Sequence, residues 1–209
     1  MRGESITFSY VGGIADSGLG GIPLIPLGRW LLGLSVVLFA AGIFLGGKRK
    51  IALLEQVRFG SRRHWWNAQF GGLLFCGAAA CLFYECVIQG ADTLLHLPWP
   101  EEMDGGLVLI LWLVHMETLV GAFGLLDITK FGRFAPAILF LLEVLTFVTG
   151  VFFRGISKYM FGTWGMYVQS SRVRAADGFS PAAVLVLEGT MLLVIWKMGT
   201  VLAERGSRG

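Results

Sequence analysis

Residues 106–126 read GLVLILWLVHMETLVGAFGLL, an apolar run whose ionisable groups are His115 and Glu117. A helix rising about 1.5 Å per residue over this run covers the ~30 Å hydrocarbon core of a bilayer. Four further runs of similar length surround it, at about 29–46, 69–89, 135–153 and 181–203. The chain is therefore read as all-α, a polytopic integral membrane bundle of about five transmembrane helices. A polar, glycine-dotted arm (1–28) precedes the single transmembrane domain (29–203), and a short polar tail (204–209) follows it.

Composition agrees with this reading. Apolar residues make up 55% of the 209 and charged residues 15%, against about 25% charged in a soluble domain. The mean hydropathy is +0.70. Outside the spans there is no basic stripe with interleaved aromatics, which argues against nucleic acid as a partner. Cys76, Cys81 and Cys86 are five apart in one apolar run. That spacing fits neither a C-x-x-C pair nor a zinc pattern, so they read as small apolar helix residues.

The arm ends in Ile22-Pro23-Leu24-Ile25-Pro26, and two prolines so close predict an extended or turning segment. The first run is not read as a cleaved signal peptide, because its bases, Lys48-Arg49-Lys50, follow it. At the last run, Ser180 and Pro181 mark an N-cap and a first helical position.

The connections carry an orientation signal. Between spans 1 and 2 lie Lys48, Arg49, Lys50, Arg58, Arg62 and Arg63 against Glu55. Between spans 2 and 3 lie Asp92, Glu101, Glu102 and Asp104 with no base, and between spans 3 and 4 Lys130 and Arg133. Lys- and Arg-rich short loops stay on the cytoplasmic side, which puts the N-terminus outside and the C-terminus, with Arg205 and Arg208, inside. Segment 154–179 is discordant, since it would lie outside yet holds Arg154, Lys158, Arg172 and Arg174. Its aromatic cluster, including Tyr159, Trp164 and Tyr167, predicts an interfacial or re-entrant segment over 156–170 that anchors in the headgroup layer. Arg62, Arg63, Trp65 and Trp66 carry a similar interfacial signal before span 2.

Ionisable residues inside spans are the candidates for function, since each costs roughly 2.5–3.5 kcal/mol at mid-bilayer on insertion scales. They are Glu85 in span 2, His115 and Glu117 in span 3, Glu143 in span 4, and Glu188 and Lys197 in span 5. Glu117 shares a helical stripe with Gly121 and Gly124, Glu143 with Thr146 and Gly150, and Glu85 with Cys81, Ala78 and Gly77. Small residues admit close helix approach, so the three carboxylates are expected to face other helices. His115 lies about 200° round the helix from Glu117 and is poorly placed to join it. Glu188 and Lys197 fall on opposite faces and each needs a partner elsewhere.

Three readings of these groups stand open: polar glue between helices, a proton or cation path with Glu117 and Glu143 as relay sites, or a metal or haem site at His115. Haem is disfavoured because His64 and His96 both fall in connections. Asp92 and His96 have a metal-compatible spacing but no evident third ligand. No metalloprotease, nucleophile-elbow or P-loop signature is present, and the glycines at 12–13 and 18–21 do not form a nucleotide fingerprint. The expectation is a non-catalytic structural or accessory subunit of a membrane complex, without a cofactor, whose partners are the lipid bilayer and other membrane subunits or itself. The alternative is a proton- or cation-coupled transporter or channel using the intramembrane carboxylates.

Overall fold

A central helix, α4 (Gly105–Asp127), organises the molecule. In its most apolar window 61% of residues are buried, against 22–39% in the other four long helices. The computed structural model describes residues 5–14, 23–98 and 103–205, and for 49–57, 151 and 154 the backbone alone. The Gly18–Gly21 run, Glu101, Glu102 and Arg208 lie outside the described residues.

Around α4 stand α2 (Leu24–Phe59), α3 (Arg62–Leu94), α5 (Ala135–Phe152) and α7 (Pro181–Arg205). All five are long and apolar enough to cross a membrane. No strand occurs among the described residues. Large apolar side chains such as Phe39, Phe75, Phe83, Leu141 and Val186 are exposed on the outer faces, as lipid-facing surface requires. Between the helices, small residues meet large ones. A Cβ on Gly199 would lie 2.1 Å from the Trp66 ring, and one on Gly124 would lie 2.4 Å from Leu73. These glycines set the α3–α7 and α3–α4 distances.

Three features depart from the sequence reading. First, α2 starts at Leu24, so Pro26 lies within its first turn, where a missing N–H costs no intrahelical bond. Second, α2 continues to Phe59 and α3 begins at Arg62, so the first connection is largely helical. The reversal is confined to Gly60, at φ +66, and Ser61, whose side chain accepts from the His64 N–H. Third, the described part of the arm belongs to the bundle. Its short helix α1 (Ile6–Val11) packs on α2 and α3. Asp92, at the end of α3, accepts from Ser5 Oγ (2.7 Å), the Ile6 N–H (2.6 Å) and the Thr7 N–H (3.0 Å). The Asp92 carboxylate thus satisfies donors at the start of α1 from 87 residues away.

Residues 153–180 close the same end of the bundle. After a 3-10 turn over Arg154–Tyr159, a one-turn helix α6 (Phe161–Trp164) descends between the long helices. The Gly162 N–H donates to Thr146 Oγ1 (2.9 Å), and Thr163 Oγ1 donates to the carbonyls of Ser157 and Met160. Irregular backbone among apolar helices is tolerated where its polar groups find such partners. The chain then meets the arm: the Val168 N–H donates to the Gly12 carbonyl (3.1 Å) and Gln169 Nε2 to the Ile14 carbonyl (2.6 Å).

This packing corrects part of the anchor expectation. Trp66 is fully buried, with Nε1 donating to the Trp196 carbonyl (3.0 Å). Tyr167 is also buried. Trp65 and Trp164 are half-buried, the latter donating to the Lys158 carbonyl. A ring enclosed by helices cannot sit among headgroups, so Trp66 and Tyr167 serve the core. Arg62, Arg63 and Tyr159 are exposed.

Candidate functional site

His115 is the eleventh residue of α4, Glu143 the ninth of α5 and Glu188 the eighth of α7. His115 and Glu143 sit near mid-helix and Glu188 about a third of the way along α7, and both carboxylates reach the His115 ring. His115 Nδ1 lies 2.6 Å from Glu188 Oε1, and Nε2 lies 3.2 and 3.3 Å from the two oxygens of Glu143. From α2, Trp30 Nε1 donates to Glu143 Oε1 at 2.8 Å. The three ionisable residues have zero solvent exposure. The imidazole thus ties α4, α5 and α7 together, and Trp30 joins α2 to them through Glu143.

Proton counting limits what the cluster can be. Each ring nitrogen faces a carboxylate oxygen, and each such contact needs one proton. Two shared protons satisfy both, as an imidazolium between two carboxylates or as a neutral ring beside one carboxylic acid. Either form carries one net negative charge. Glu188 Oε2 has no hydrogen-bond partner.

The cluster is sealed by the closing segment. The Phe161 ring lies against the imidazole with centroids 4.6 Å apart, and Trp30 is 6.2 Å away on another side. A Cβ on Gly165 would stand 2.7 Å from the Cβ of His115, so only glycine lets the segment come this close. The two carboxylates approach opposite edges of the ring and do not converge on a common point. Among the described residues no group of three His, Cys, Asp or Glu is arranged to hold a metal ion.

The remaining candidates lie elsewhere. Glu117 points away from His115, into the α3 seam, where a Cβ on Gly77 would be 2.7 Å from its Oε1. Both its carboxyl oxygens are buried without a hydrogen-bond partner. The two candidate relay sites face different parts of the bundle: Glu117 the α3 seam, and Glu143 the His115 and Trp30 side chains. Glu85 accepts from Gln89 Nε2 at 2.8 Å. Nearby, Tyr84 and Trp112 stack with centroids 5.8 Å apart, and neither the Tyr84 hydroxyl nor Trp112 Nε1 has a partner. Lys197 is exposed and lies over the ring of its neighbour Trp196, 4.6 Å from the centroid; it is not part of the buried cluster.

Two contributors escaped the sequence reading. Trp30 stands at the start of a span, and nothing in the surrounding sequence shows that its N–H reaches Glu143. Asp92 reads as half of a weak metal pair, whereas its partners come from the arm. For the meeting of His115 with Glu143, a usable signal was their shared mid-helix position; Glu188, a third of the way along α7, gave less. No family model matches the chain, and no curated protein or solved structure matches it either.

Proposed function

We propose that this multi-pass chain is a non-catalytic structural or accessory subunit of a membrane complex, with the Glu143–His115–Glu188 cluster as the clasp of its fold. The observation that carries this reading is the closure of the cluster. Its three ionisable side chains bond to one another, have zero exposure and lie under Phe161 and Gly165. A clasp of this kind keeps helices in register without admitting substrate. Buried oxygens that the bundle leaves unpartnered, both of Glu117 and Oε2 of Glu85, support a partner outside the chain. The loop charges support an N-terminus outside and a C-terminus inside. In that orientation α1 and residues 153–180 form an outer cap whose Phe161–Gly165 turn re-enters to the depth of His115. Lipid and other membrane subunits, or a second copy, are the partners.

The test is the mass and composition of the particle extracted from its native membrane in mild detergent. A large particle with other subunits is expected. A purified chain that is monomeric, monodisperse and active in transport overturns the reading.

One observation favours a second reading, a proton- or cation-coupled transporter or channel. Glu117 holds two buried oxygens without a donor, an arrangement that suits a group that binds and releases a proton or cation. Flux into proteoliposomes tests it. Loss of flux in Glu117→Gln is expected on this reading, and unchanged flux in Glu117→Gln and Glu143→Gln removes both residues from any mechanism.

A further inference from the structure

α2 and α5 touch at the Trp30–Glu143 bond and part beyond it. The gap is a groove of about 450 Å³ lined by Ser35, Leu38, Phe39, Gly42, Phe123 and Phe140 among others. Ser35 directs its hydroxyl to its own Leu32 carbonyl (2.7 Å), so the lining offers hydrocarbon and ring faces. The groove runs away from the capped end. On α5 its lining ends at Pro136, in the first turn. Three residues before it stands Arg133, in the 3-10 turn (Gly132–Phe134) that leads into α5, and Lys130 lies in the turn before that. Both are exposed, each lying over the ring of the residue that follows it, Phe134 at 4.7 Å and Phe131 at 5.3 Å. On α2 the lining ends at Gly42 and Ile43; one turn further on, a Cβ added to Gly46 or Gly47 would meet nothing within 4 Å.

We propose that this groove is a binding site for one anionic phospholipid, an acyl chain lying between α2 and α5 and the phosphate held at Arg133 and Lys130. The charge at its mouth selects this occupant. An apolar partner helix would fill the groove but leave the two bases facing nothing of opposite sign. A zwitterionic lipid would supply the chain without the net negative charge. Cationic side chains at the membrane end of an interhelical pocket are the chemistry that holds such headgroups. The proposal stands independently of the subunit reading, because it uses none of the clasp residues.

The experiment is reconstitution of the full chain in nanodiscs of equal parts phosphatidylglycerol and phosphatidylcholine, followed by gentle detergent release and native mass spectrometry. The expected result is one retained phosphatidylglycerol per chain. Lys130→Ala and Arg133→Ala should each lower that retention about 5-fold, the factor for one surface base acting on an anionic membrane. Gly42→Leu fills the groove from a position where a Cβ meets only the Phe123 ring, at 3.8 Å, and should remove retained lipid of either kind. Equal retention of both lipids, retention unchanged in all three variants, or a second copy of the chain released in place of lipid overturns the proposal.

Discussion

Replacing His115 with Ala should be among the most damaging single changes in this protein. The side chain is fully buried, contacts Glu188 at 2.6 Å and Glu143 at 3.2 Å, and supports the Phe161 ring. Hydrogen bonds between transmembrane helices average only about 0.6 kcal/mol, with a maximum near 1.7, because the unfolded state in the membrane also finds partners. Removing one member of a buried ion pair costs about 3–5 kcal/mol, because the survivor stays buried and unpaired. The larger figure governs here. Glu188 Oε2 already lacks a partner, Glu188 Oε1 loses the imidazole, and Glu143 keeps only the Trp30 N–H. The expected loss is therefore about 3–5 kcal/mol. Glu188→Gln preserves a partner for Nδ1 and should cost about 1–2 kcal/mol, the charge-assisted part of one bond. The double variant should cost less than the sum, with a coupling of at least about 1 kcal/mol. Reversible unfolding in mixed micelles with rising dodecyl sulfate, followed by tryptophan fluorescence, measures all three. A cost below about 1 kcal/mol for His115→Ala, together with strict additivity, would refute the clasp.

Three further outcomes are expected. Asp92→Ala removes the acceptor for Ser5, Ile6 and Thr7 at about 1.5–3 kcal/mol per charged hydrogen bond before water compensates; limited proteolysis should then cut the arm sooner, while the helical content of the long helices stays as it was. Gly199→Ala drives a methyl into the Trp66 ring and should destabilise by about 1–3 kcal/mol, whereas Gly28→Ala, with open space around it, should leave the melting temperature unchanged or slightly raised. Glu117→Leu removes two buried unpartnered oxygens and should raise stability by about 1–3 kcal/mol; a thermal melt that moves down instead would show that the carboxyl has a bonding role.

The five long helices were legible because bilayer length and apolar composition are local properties, and the helix ends agree with the expected spans to within a few residues apart from α2 and α3, which extend further. Their stripes were legible too: Gly121 packs on Leu192 and Phe70, and Gly77 on Glu117, as small residues beside polar ones suggest. What was not legible depends on residues far apart in the chain. Trp66 looks interfacial from its neighbours Arg62, Arg63 and Trp65, and only Gly199, on another helix, makes room to bury it. Glu117 and Glu143 share a midplane depth, and only the rotation of α4 turns His115 rather than Glu117 toward Glu143. The arm looked like a separate tail until Asp92 and the Gly12–Val168 bond joined it to the rest.

That last contact bears on how the protein is made. Val168 and Gln169 bond to Gly12 and Ile14, more than 150 residues earlier, and Glu188 joins His115 from the final helix. A ribosome delivers Asp92 long before either of these, so the arm can settle on α3 while later helices are still absent. The cap and the clasp can form only after nearly the whole chain has emerged. Until then His115 and Glu143 wait in the nascent bundle without their last partner. A nascent chain stopped before residue 181 therefore holds an open, acid-bearing bundle, the species that membrane quality control would meet first.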